Sequence, residues 1–384
     1  MTSMKDKQIR PGATIGILGG GQLGRMIALA GRAMGYRFVT MDPTEDAPCG
    51  QVADRQIVAR YEDVDAAIQL AEVSDVISYE FENVDAQVAE VLESRSFVPQ
   101  GSRLLRITQN RIYEKTAIRE LGIPVAPFRV IGSLEELEAA VDELGLPAVM
   151  KTATGGYDGK GQWVLRKSEE LGEAYETMVK AGTELIVEKF IPFQTELSVI
   201  AARSLSGELV TFPAAENIHR DNILHLSIVP ARVSTDIQQK AEQIAREIAE
   251  KLDVVGLIAV EMFLAANGEL YVNELAPRPH NSGHYTMDAC VTSQFEQHVR
   301  AVCNLPLGST QLLTPVVMVN ILGEHLQPVL NRIDRLPRTA KLHLYGKHES
   351  KEKRKMGHLN VVAPSVEEAL EQIDHLEIWK KVEV

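Results

Sequence analysis

The chain has 384 residues, of which 45% are hydrophobic and 24% charged, a composition typical of globular proteins and a length that indicates two or three domains. Its 53 acidic and 40 basic residues give a net charge of −13, which argues against general binding to nucleic acid or to acidic membrane surfaces. The three cysteines, Cys49, Cys290 and Cys303, form no CxxC pair, so we expect buried free thiols in a reducing cytoplasm rather than disulfides or zinc ligands.

The chain begins without the apolar stretch of a signal peptide, and no later run approaches the roughly 20 apolar residues of a membrane span. Residues 1 to about 110 alternate strand and helix patterns, which predicts a Rossmann-like parallel sheet. Gly19, Gly21 and Gly24 form a GxGxxG turn, and Asp42 ends the next strand. This is the layout of an NAD-dependent dehydrogenase, although a tight strand-to-helix turn needs the same glycines.

Two polar residues stand where this first sheet would bind a ligand. Gln22 lies inside the glycine turn, and Glu80 follows the fourth predicted strand in "SYEFEN". Open α/β sheets bind ligands at the carboxyl ends of their strands, so Glu80 could accept hydrogen bonds from sugar hydroxyls or an amine. The competing interpretation is a solvated loop carboxylate.

From about residue 111 to 310 the pattern changes to α+β, with short strands between helices near 133–144, 168–181 and 235–252. The first helix of this region, "RIYEKTAIRELG", ends at Gly122, and Pro124 prevents its continuation. We expect residues 122–190 to form a smaller subdomain. Residues 311–384 predict a small β-rich domain that is closed by a helix at 365–376.

The segment "MKTATGGYDGKGQ" is a glycine-rich hairpin that follows the strand ending in Lys151. It is not a Walker loop, because Gly161 rather than Ser or Thr follows Lys160. Its glycines would let it close over phosphates as a lid, with Lys151 and Lys160 contacting phosphate oxygens. Tyr157 and Asp158 are large polar residues that turn formation alone does not require, which favours a role in ligand binding. The alternative interpretation is a flexible surface hairpin.

A second hairpin, "VEMFLAANGELYVNE", is predicted to place two glutamates side by side. Asn267-Gly268 is a preferred two-residue type I′ turn, and its register puts Glu261 directly opposite Glu274 on the same face. Like charges in this position repel. A divalent cation such as Mg²⁺ would turn the repulsion into coordination. A shared proton or a flanking arginine such as Arg278 would also relieve it.

These segments resemble the ATP-grasp superfamily and, within it, the 5-(carboxyamino)imidazole ribonucleotide synthetase family. The resemblance covers nearly the whole chain and is carried by "GILGGGQLGRM", "YEFENV", "NRIYEKTAIRELGIPV", "MKTATGGYDGKGQ", "VEKFIPFQTELSVIAAR", "AENIHRDNILHLSIVPAR", "VEMFLAANGELYVNELAPRPHNSGH" and "KRKMGHLN". It implies a Rossmann-like pre-ATP-grasp domain, a central ATP-grasp domain and a small C-terminal domain. It also implies a ligase that uses ATP, Mg²⁺ and bicarbonate to carboxylate aminoimidazole ribonucleotide, and a homodimer.

The resemblance assigns roles to individual residues. The ATP-binding set would be Arg111, Lys151, the loop residues Gly156, Tyr157, Asp158, Gly159, Lys160, Gly161 and Gln162, the adenine hinge Glu188, Lys189, Phe190 and Ile191, and also Glu196, His219, Asn273 and Glu274. The ribonucleotide-binding set would be Gln22, Glu80, Tyr157, Asp158, Lys347 and Arg354. Glu261 and Glu274 would bind magnesium, and Asp158, Lys151, Arg278 and His280 would serve the chemistry.

One position departs from the superfamily pattern, and several alternatives stay open. Many members place an asparagine two residues after the second glutamate, where this chain has Ala276, so the resemblance implies one magnesium site and leaves a second open. The formate-using glycinamide ribonucleotide transformylase and biotin carboxylase share the layout. Outside the class, a dehydrogenase or a non-catalytic nucleotide sensor would use the same glycine loops differently.

Overall fold

The computed structural model describes residues 7–156, 160–179 and 184–379, and contains three β-sheets. The strands are β1 (Thr14–Leu18), β2 (Arg37–Asp42), β3 (Arg55–Val58), β4 (Val76–Tyr79), β5 (Phe128–Ile131), β6 (Ala148–Thr152), β7 (Gln162–Leu165), β8 (Leu185–Lys189), β9 (Phe193–Arg203), β10 (Leu209–Thr211), β11 (Ala215–Arg220), β12 (Ile223–Val229), β13 (Gly256–Ala265), β14 (Leu270–Ala276), β15 (Val316–Leu322), β16 (Ala340–Leu344) and β17 (Lys355–Val362). The helices are α1 (Gln22–Ala33), α2 (Val64–Glu72), α3 (Ala86–Arg95), α4 (Arg103–Thr108), α5 (Arg111–Glu120), α6 (Leu134–Leu144), α7 (Leu171–Met178), α8 (Thr235–Lys251), α9 (Thr286–Ala289), α10 (Gln294–Val302), α11 (Gly323–Leu330) and α12 (Val366–Asp374).

The first sheet is parallel and has the strand order β3-β2-β1-β4. Its strands are buried on both faces, as the helix crossovers of a parallel sheet require. α1 begins directly after the glycine turn, where Gly19 has a φ of +111° and therefore needs a residue without Cβ. This geometry confirms the predicted Rossmann-like arrangement.

The second sheet is antiparallel, has the order β5-β8-β6-β7, and carries α6 and α7 on one face. α6 begins at Ser133, whose hydroxyl accepts a hydrogen bond from the amide of Glu136. Leu137, Ala140 and Leu144 repeat at helical spacing and are buried against the sheet. The glycine-rich segment connects β6 to β7, which is the edge strand of this sheet.

The third and largest sheet has the order β14-β13-β9-β11-β12-β15-β17-β16, with β10 paired to β9. α8 packs on β9 and β13 through Ala241, Ala245 and Ile248, which lie on one face of the helix. β15 pairs with β12, so the strands after residue 310 extend the central sheet across the predicted domain boundary. α11, which the sequence did not predict, and α12 cover β15 and β17 there.

The hairpin β13–β14 pairs Glu261 with Glu274 as predicted, but through a different turn. The amide of Ala265 donates to the carbonyl of Glu269, so the loop has three residues rather than two, and Gly268 has a φ of +79°. This shifts the register by one residue. A bulge between Val272 and Glu274 shifts it back, so Glu261 still faces Glu274. The type I′ turn was therefore wrong, and the pairing was confirmed because two shifts cancel.

The described residues include no helix with the length and apolar character to cross a lipid bilayer. All three cysteines are buried and unpaired, as expected.

Candidate active site

A cleft of about 440 Å³ opens between the second and third sheets. It is lined by most of the residues that the sequence assigned to ATP, metal and chemistry, namely Arg111, Lys151, Gly156, Lys160, Gln162, Glu188, Lys189, Phe190, Ile191, Glu196, His219, Glu261, Asn273, Glu274, Arg278 and His280. Gly161 lies at the rim, where its carbonyl accepts a hydrogen bond from the amide of Thr152. Tyr157, Asp158 and Gly159 lie outside the described residues.

The paired carboxylates each have a basic or polar neighbour. Glu274 Oε2 lies 3.3 Å from Arg111 Nη1, and Glu261 Oε1 lies 3.2 Å from His280 Nε2. Burial, followed by repulsion from Glu274, raises the pKa of Glu261 to about 7. The arginine that flanks the pair of Glu261 and Glu274 is Arg111, whereas Arg278 forms an ion pair with Glu82. Two hard oxygen donors that repel each other fit a divalent cation such as Mg²⁺.

His280 approaches Glu261 as a neutral ring. Burial, then Arg278, holds the pKa of His280 well below its ordinary value. Its Nδ1 lies 2.9 Å from the hydroxyl of Ser282, and its backbone amide donates to Gln294. The segment that follows β14 is therefore fixed by hydrogen bonds at the floor of the cleft.

Arg278 forms a half-buried ion pair with Glu82, in which Nη2 donates to Oε1 at 3.1 Å. Burial by itself would raise the pKa of Glu82. The positive charge of Arg278 and its hydrogen bonds outweigh this effect, so the pKa of Glu82 is lowered overall. Glu82 follows β4, so this pair joins the first sheet to the segment after β14 at the cleft. The sequence did not identify Glu82.

Three charged residues meet at the inner wall of the cleft. Glu188 Oε2 accepts a hydrogen bond from Lys151 Nζ at 3.0 Å and lies 3.4 Å from Lys115 Nζ. Burial would raise the pKa of Glu188, but Lys115 and then Lys151 lower it to about 2. Burial also lowers the pKa of Lys151. The carboxylate of Glu188 is therefore ionised and held between two lysines.

One face of α5 contacts both walls of the cleft. Asn110 caps the helix by accepting from the amide of Ile112, which places Arg111 in the first turn. Arg111 Nη2 donates to the carbonyl of Gly156 at 3.1 Å, while Nη1 reaches Glu274. Glu114 accepts from the amide of Leu275, and burial followed by Glu274 raises its pKa to about 8.

At the outer end of the cleft, His219 Nδ1 lies 3.0 Å from Glu196 Oε2. Burial lowers the pKa of His219, but its contact with Glu196 more than offsets this, so the pKa is raised overall. β11 and β9 are neighbours in the third sheet, which brings the two residues together. The carboxylate of Glu196 therefore faces His219 at this end of the cleft, and both residues line it.

A second cavity of about 220 Å³ adjoins the cleft, with Arg278 and His280 shared between the two walls. Gln22 and Glu80 line it, as the sequence predicted for a ribonucleotide site. Tyr345 also lines it, a residue that the sequence did not identify. A ligand in this cavity would therefore meet a ligand in the cleft at Arg278 and His280.

Glu80 occupies the place that a dinucleotide phosphate would need. Its two carboxylate oxygens accept from the amides of Gly21 and Gly24, each at 2.5 Å. A side chain at Gly21 would collide with this carboxylate, so the glycines here make room for Glu80. Asp42 is likewise engaged by the amide of Gly20 and the hydroxyl of Tyr61. This geometry argues against the dehydrogenase hypothesis.

Burial raises the pKa of Glu80 to about 7, although the two backbone amides oppose this shift. Glu80 is fully enclosed apart from the second cavity, so a substrate amine or hydroxyl there would meet a carboxyl poised between its two protonation states near neutral pH.

Lys347 and Arg354 lie beside the second cavity rather than in its wall. Lys347 Nζ donates to the carbonyl of Lys355 at 2.8 Å, and burial followed by Arg354 lowers its pKa to about 8. Arg354 is exposed and donates to the carbonyl of Glu349. The lysine that lines both cavities is Lys355, which the sequence did not identify.

A sequence signal for two of the missed residues existed. Glu114 and Lys115 stand three and four positions after Arg111, so all three share one face of α5. Charged residues at the buried face of a helix are uncommon unless they have partners. Glu82 and Lys355 lie within the quoted segments "YEFENV" and "KRKMGHLN", but their spacing gave no such signal, because their contacts join distant segments.

Three family descriptions match consecutive parts of the chain. The ATP-grasp domain matches residues 116–295, the ribonucleotide synthetase preATP-grasp domain matches residues 12–109, and the phosphoribosylaminoimidazole carboxylase C-terminal domain matches residues 316–372. Together these matches show an N-terminal preATP-grasp domain, a central ATP-grasp domain and a C-terminal domain.

Full-length relatives share the same architecture. The N5-carboxyaminoimidazole ribonucleotide synthase of Bacillus subtilis (strain 168) is 53% identical over 370 residues, which is 96% of this chain and 97% of the relative. That of Brucella melitensis is 44% identical over 363 residues, covering 94% of this chain and 99% of the relative.

Solved structures agree with these sequence matches. An ADP complex of an N5-carboxyaminoimidazole ribonucleotide synthetase has a TM-score of 0.94 and 56% identity, and covers 97% of this chain and 98% of its own. The Aspergillus clavatus synthase in complex with ADP and 5-aminoimidazole ribonucleotide has a TM-score of 0.88 and 33% identity, and covers 97% of this chain and 98% of its own.

Proposed function

This chain belongs to the N5-carboxyaminoimidazole ribonucleotide synthase family, and we propose that it makes this product from ATP, bicarbonate and 5-aminoimidazole ribonucleotide. It is an ATP-dependent carbon–nitrogen ligase of purine biosynthesis. The observation that supports the proposal most directly is the junction of the two cavities at Arg278 and His280. A nucleotide in the cleft and a ribonucleotide beside Glu80 would place their reacting ends together there.

The reaction proceeds in two steps. A bicarbonate oxygen attacks the γ-phosphorus of ATP, the bond to the β-phosphate oxygen breaks, and carboxyphosphate and ADP form. The exocyclic amine of the ribonucleotide then takes the carboxyl group, either directly from carboxyphosphate or from carbon dioxide released in the site. The C–O bond to the phosphorus-bound oxygen breaks, inorganic phosphate leaves with its electrons, and the amine proton passes to Asp158 or to the departing phosphate. Positioning and charge stabilisation dominate such phosphoryl transfers, so no protein nucleophile is required.

The residues of the cleft have separate tasks in this scheme. Lys151 and Arg111 hold the phosphates, the hinge 188–191 holds adenine, and Glu196 holds the ribose hydroxyls. Glu261 and Glu274 are the residues that would hold magnesium, with Asn273 beside them in the same cleft. The metal would supply positive charge that stabilises the transferred phosphoryl group. Arg278 and His280 orient bicarbonate.

On the ribonucleotide side, Gln22 and Glu80 contact the substrate, and Lys347 and Arg354 attract its phosphate. We propose that the loop 156–162 would close over bound phosphates, which matters because carboxyphosphate hydrolyses in open water. Tyr157 and Asp158, which lie outside the described residues, are proposed to bind the ribonucleotide. Three buried thiols suit a reducing cytoplasm, where we place the protein, and we infer that it forms a homodimer.

One assay separates this function from its alternatives. ADP formation is measured with and without aminoimidazole ribonucleotide, bicarbonate, formate or biotin. We expect ADP release to require the ribonucleotide and bicarbonate together. Dependence on formate would indicate a transformylase, dependence on biotin a carboxylase, and nucleotide binding without turnover a sensor.

The first prediction concerns Asp158, which we propose orients the substrate amine or accepts its proton. Asp158→Asn should bind ATP normally and lose ribonucleotide-dependent ADP release by about two orders of magnitude, the usual scale of general acid–base catalysis. The matched control is Asp142→Asn, an exposed aspartate of α6 on the same subdomain. Unchanged turnover in Asp158→Asn would remove this residue from the mechanism.

A further inference from the structure

We propose that Lys115 is a positioning residue for the nucleotide phosphates, which acts by balancing the charge of Glu188 so that Lys151 stays available to them. This inference rests on the proposed function, because it takes Lys151 as a phosphate ligand. Lys115 does not line the cleft itself. It lies behind the cleft wall, with only 1% of its side chain exposed.

Lys115 is placed by three elements. It stands on the buried face of α5, one turn after Arg111. Its ammonium lies 3.4 Å from Glu188 Oε2 on β8 and donates to the carbonyl of Val272 on β14 at 3.4 Å. Lys115 therefore joins the strand that carries the hinge to the strand that carries Glu274.

Lys151 and Glu188 are close for a separate reason. β6 and β8 are antiparallel neighbours, and Val149 pairs with Glu188, which puts Lys151 diagonally across from Glu188 on the same face. Lys151 Nζ donates to Glu188 at 3.0 Å, and its side chain is 11% exposed, at the cleft. Of the two lysines that contact Glu188, Lys151 is the one that lines the cleft.

The charge of this triad explains why a second lysine is needed. Two lysines and one glutamate sum to +1, so Lys151 retains attraction for a phosphate although it is bonded to Glu188. Without Lys115, the pair of Lys151 and Glu188 would be neutral. A phosphate would then compete with the buried carboxylate of Glu188 for Lys151, the one of the two lysines that would remain, and an uncompensated buried charge is costly.

Other carboxylates around the cleft make the net charge of this triad important for phosphate binding. Glu114, Glu261 and Glu274 lie in or beside the same cleft, and each repels a polyphosphate when ionised. An ordinary structural ion pair would need only one lysine for Glu188. The second, fully buried lysine points to a demand for net positive charge at this wall.

The test compares ligands with and without phosphates. Binding of ADP and of adenosine to Lys115→Met is measured by calorimetry, without ribonucleotide or bicarbonate. We expect ADP affinity to fall at least about tenfold, which corresponds to about 1.4 kcal/mol, while adenosine affinity stays within about twofold. An equal loss for both ligands would indicate a merely structural role and overturn the inference, as would unchanged ADP affinity.

A second variant keeps the test decisive if Lys115→Met folds poorly. Lys115→Met combined with Glu188→Gln restores the net charge of the triad to +1 and leaves no unpaired buried carboxylate. Because Glu188 also belongs to the adenine hinge, the readout is the ratio of ADP affinity to adenosine affinity. This ratio should recover to within about threefold of the wild-type ratio, and failure to recover would count against the charge argument. Lys341→Met, an exposed change on β16, is the control for loss of a lysine.

The dependence on Glu188 is tested by a double-mutant cycle. If Lys115 acts by balancing the charge of Glu188, Lys115→Met should cost little further ADP affinity in a Glu188→Gln background. Full additivity would show that Lys115 acts independently and contradict the proposal. All of these measurements are of binding, so they stand apart from the ADP-release assay that tests the ligase function.

Discussion

At the scale of single residues, Glu188 and Glu261 are both glutamates of one cleft whose pKa values shift in opposite directions. Lys115 and Lys151 bring that of Glu188 to about 2 in spite of burial. Burial and the facing Glu274 bring that of Glu261 to about 7. The neighbouring charges, rather than burial alone, decide which carboxylate is permanently ionised and which one gains from a cation.

The residue-scale prediction concerns the carboxylate pair. Glu274→Gln replaces an anionic carboxylate ligand with a neutral amide and should lower ADP release at saturating ATP by two to three orders of magnitude, or about 3–4 kcal/mol of transition-state stabilisation. Its apparent magnesium affinity should fall as well. The control is Glu269→Gln, an exposed residue of the same hairpin. Wild-type magnesium dependence in Glu274→Gln would show that the metal lies elsewhere.

At the scale of elements, the hairpin β13–β14 owes its useful register to a bulge. The three-residue turn alone would leave Glu261 opposite Asn273, whereas the bulge turns both Asn273 and Glu274 toward the cleft. Bulges commonly re-aim side chains next to active sites. α5 also places several site residues at once. This single capped helix carries Arg111, Glu114 and Lys115 on one face.

The element-scale prediction tests whether the bulge or the turn fixes the register of β13 and β14. Deletion of Ala266 leaves Asn267-Gly268 as a two-residue type I′ loop and keeps Ala265 opposite Glu269, so the pairing of Glu261 with Glu274 should survive. We expect ADP release and its magnesium dependence to stay within about threefold of the wild type. If a folded deletion variant instead loses magnesium dependence, the turn rather than the bulge fixes the register.

At the scale of the whole molecule, the first sheet is joined to the rest through buried polar contacts. His298 of α10 lies 2.7 Å from the hydroxyl of Ser78 on β4, and Glu82 pairs with Arg278 nearby. Burial lowers the pKa of His298 to about 3. The folded protein therefore holds this ring neutral between two of its regions.

The whole-molecule prediction is a pH dependence of stability. The folded pKa of His298 is below the ordinary value of 6.5, so its contribution is complete above pH 6.5 and is lost as the pH falls toward 3. His298→Gln should flatten the fall in unfolding free energy between pH 6.5 and 5 by up to about 1.4 kcal/mol per pH unit. Denaturant titrations at pH 8.5, 7.5, 6.5, 5.5 and 5 measure this. The slope between pH 7.5 and 8.5 should be the same in both proteins, and an unchanged slope below pH 6.5 would contradict the prediction.

The sequence by itself determined the features that depend on local order. The alternating strands and helices predict the Rossmann-like sheet, and the departure from a Walker loop at Gly161 identifies a glycine hairpin. The ATP-grasp resemblance implies the residues that line the cleft, because these residues lie within continuous motifs. The pairing of Glu261 with Glu274 was also predicted from the sequence. The predicted two-residue turn was wrong, and no pattern in the sequence indicated the bulge that compensates for the longer turn.

Only the tertiary structure decided how distant segments meet. Glu80 caps the glycine turn from a strand 59 positions away, and Lys115 faces Glu188 from another element, so no local pattern reveals either contact. The same holds for Lys355, which lines both cavities although β17 follows the cleft strands by about 80 residues. Hydrogen bonds and charge balance are set by distances in space, and spacing along the chain fixes those distances only within one helix or hairpin.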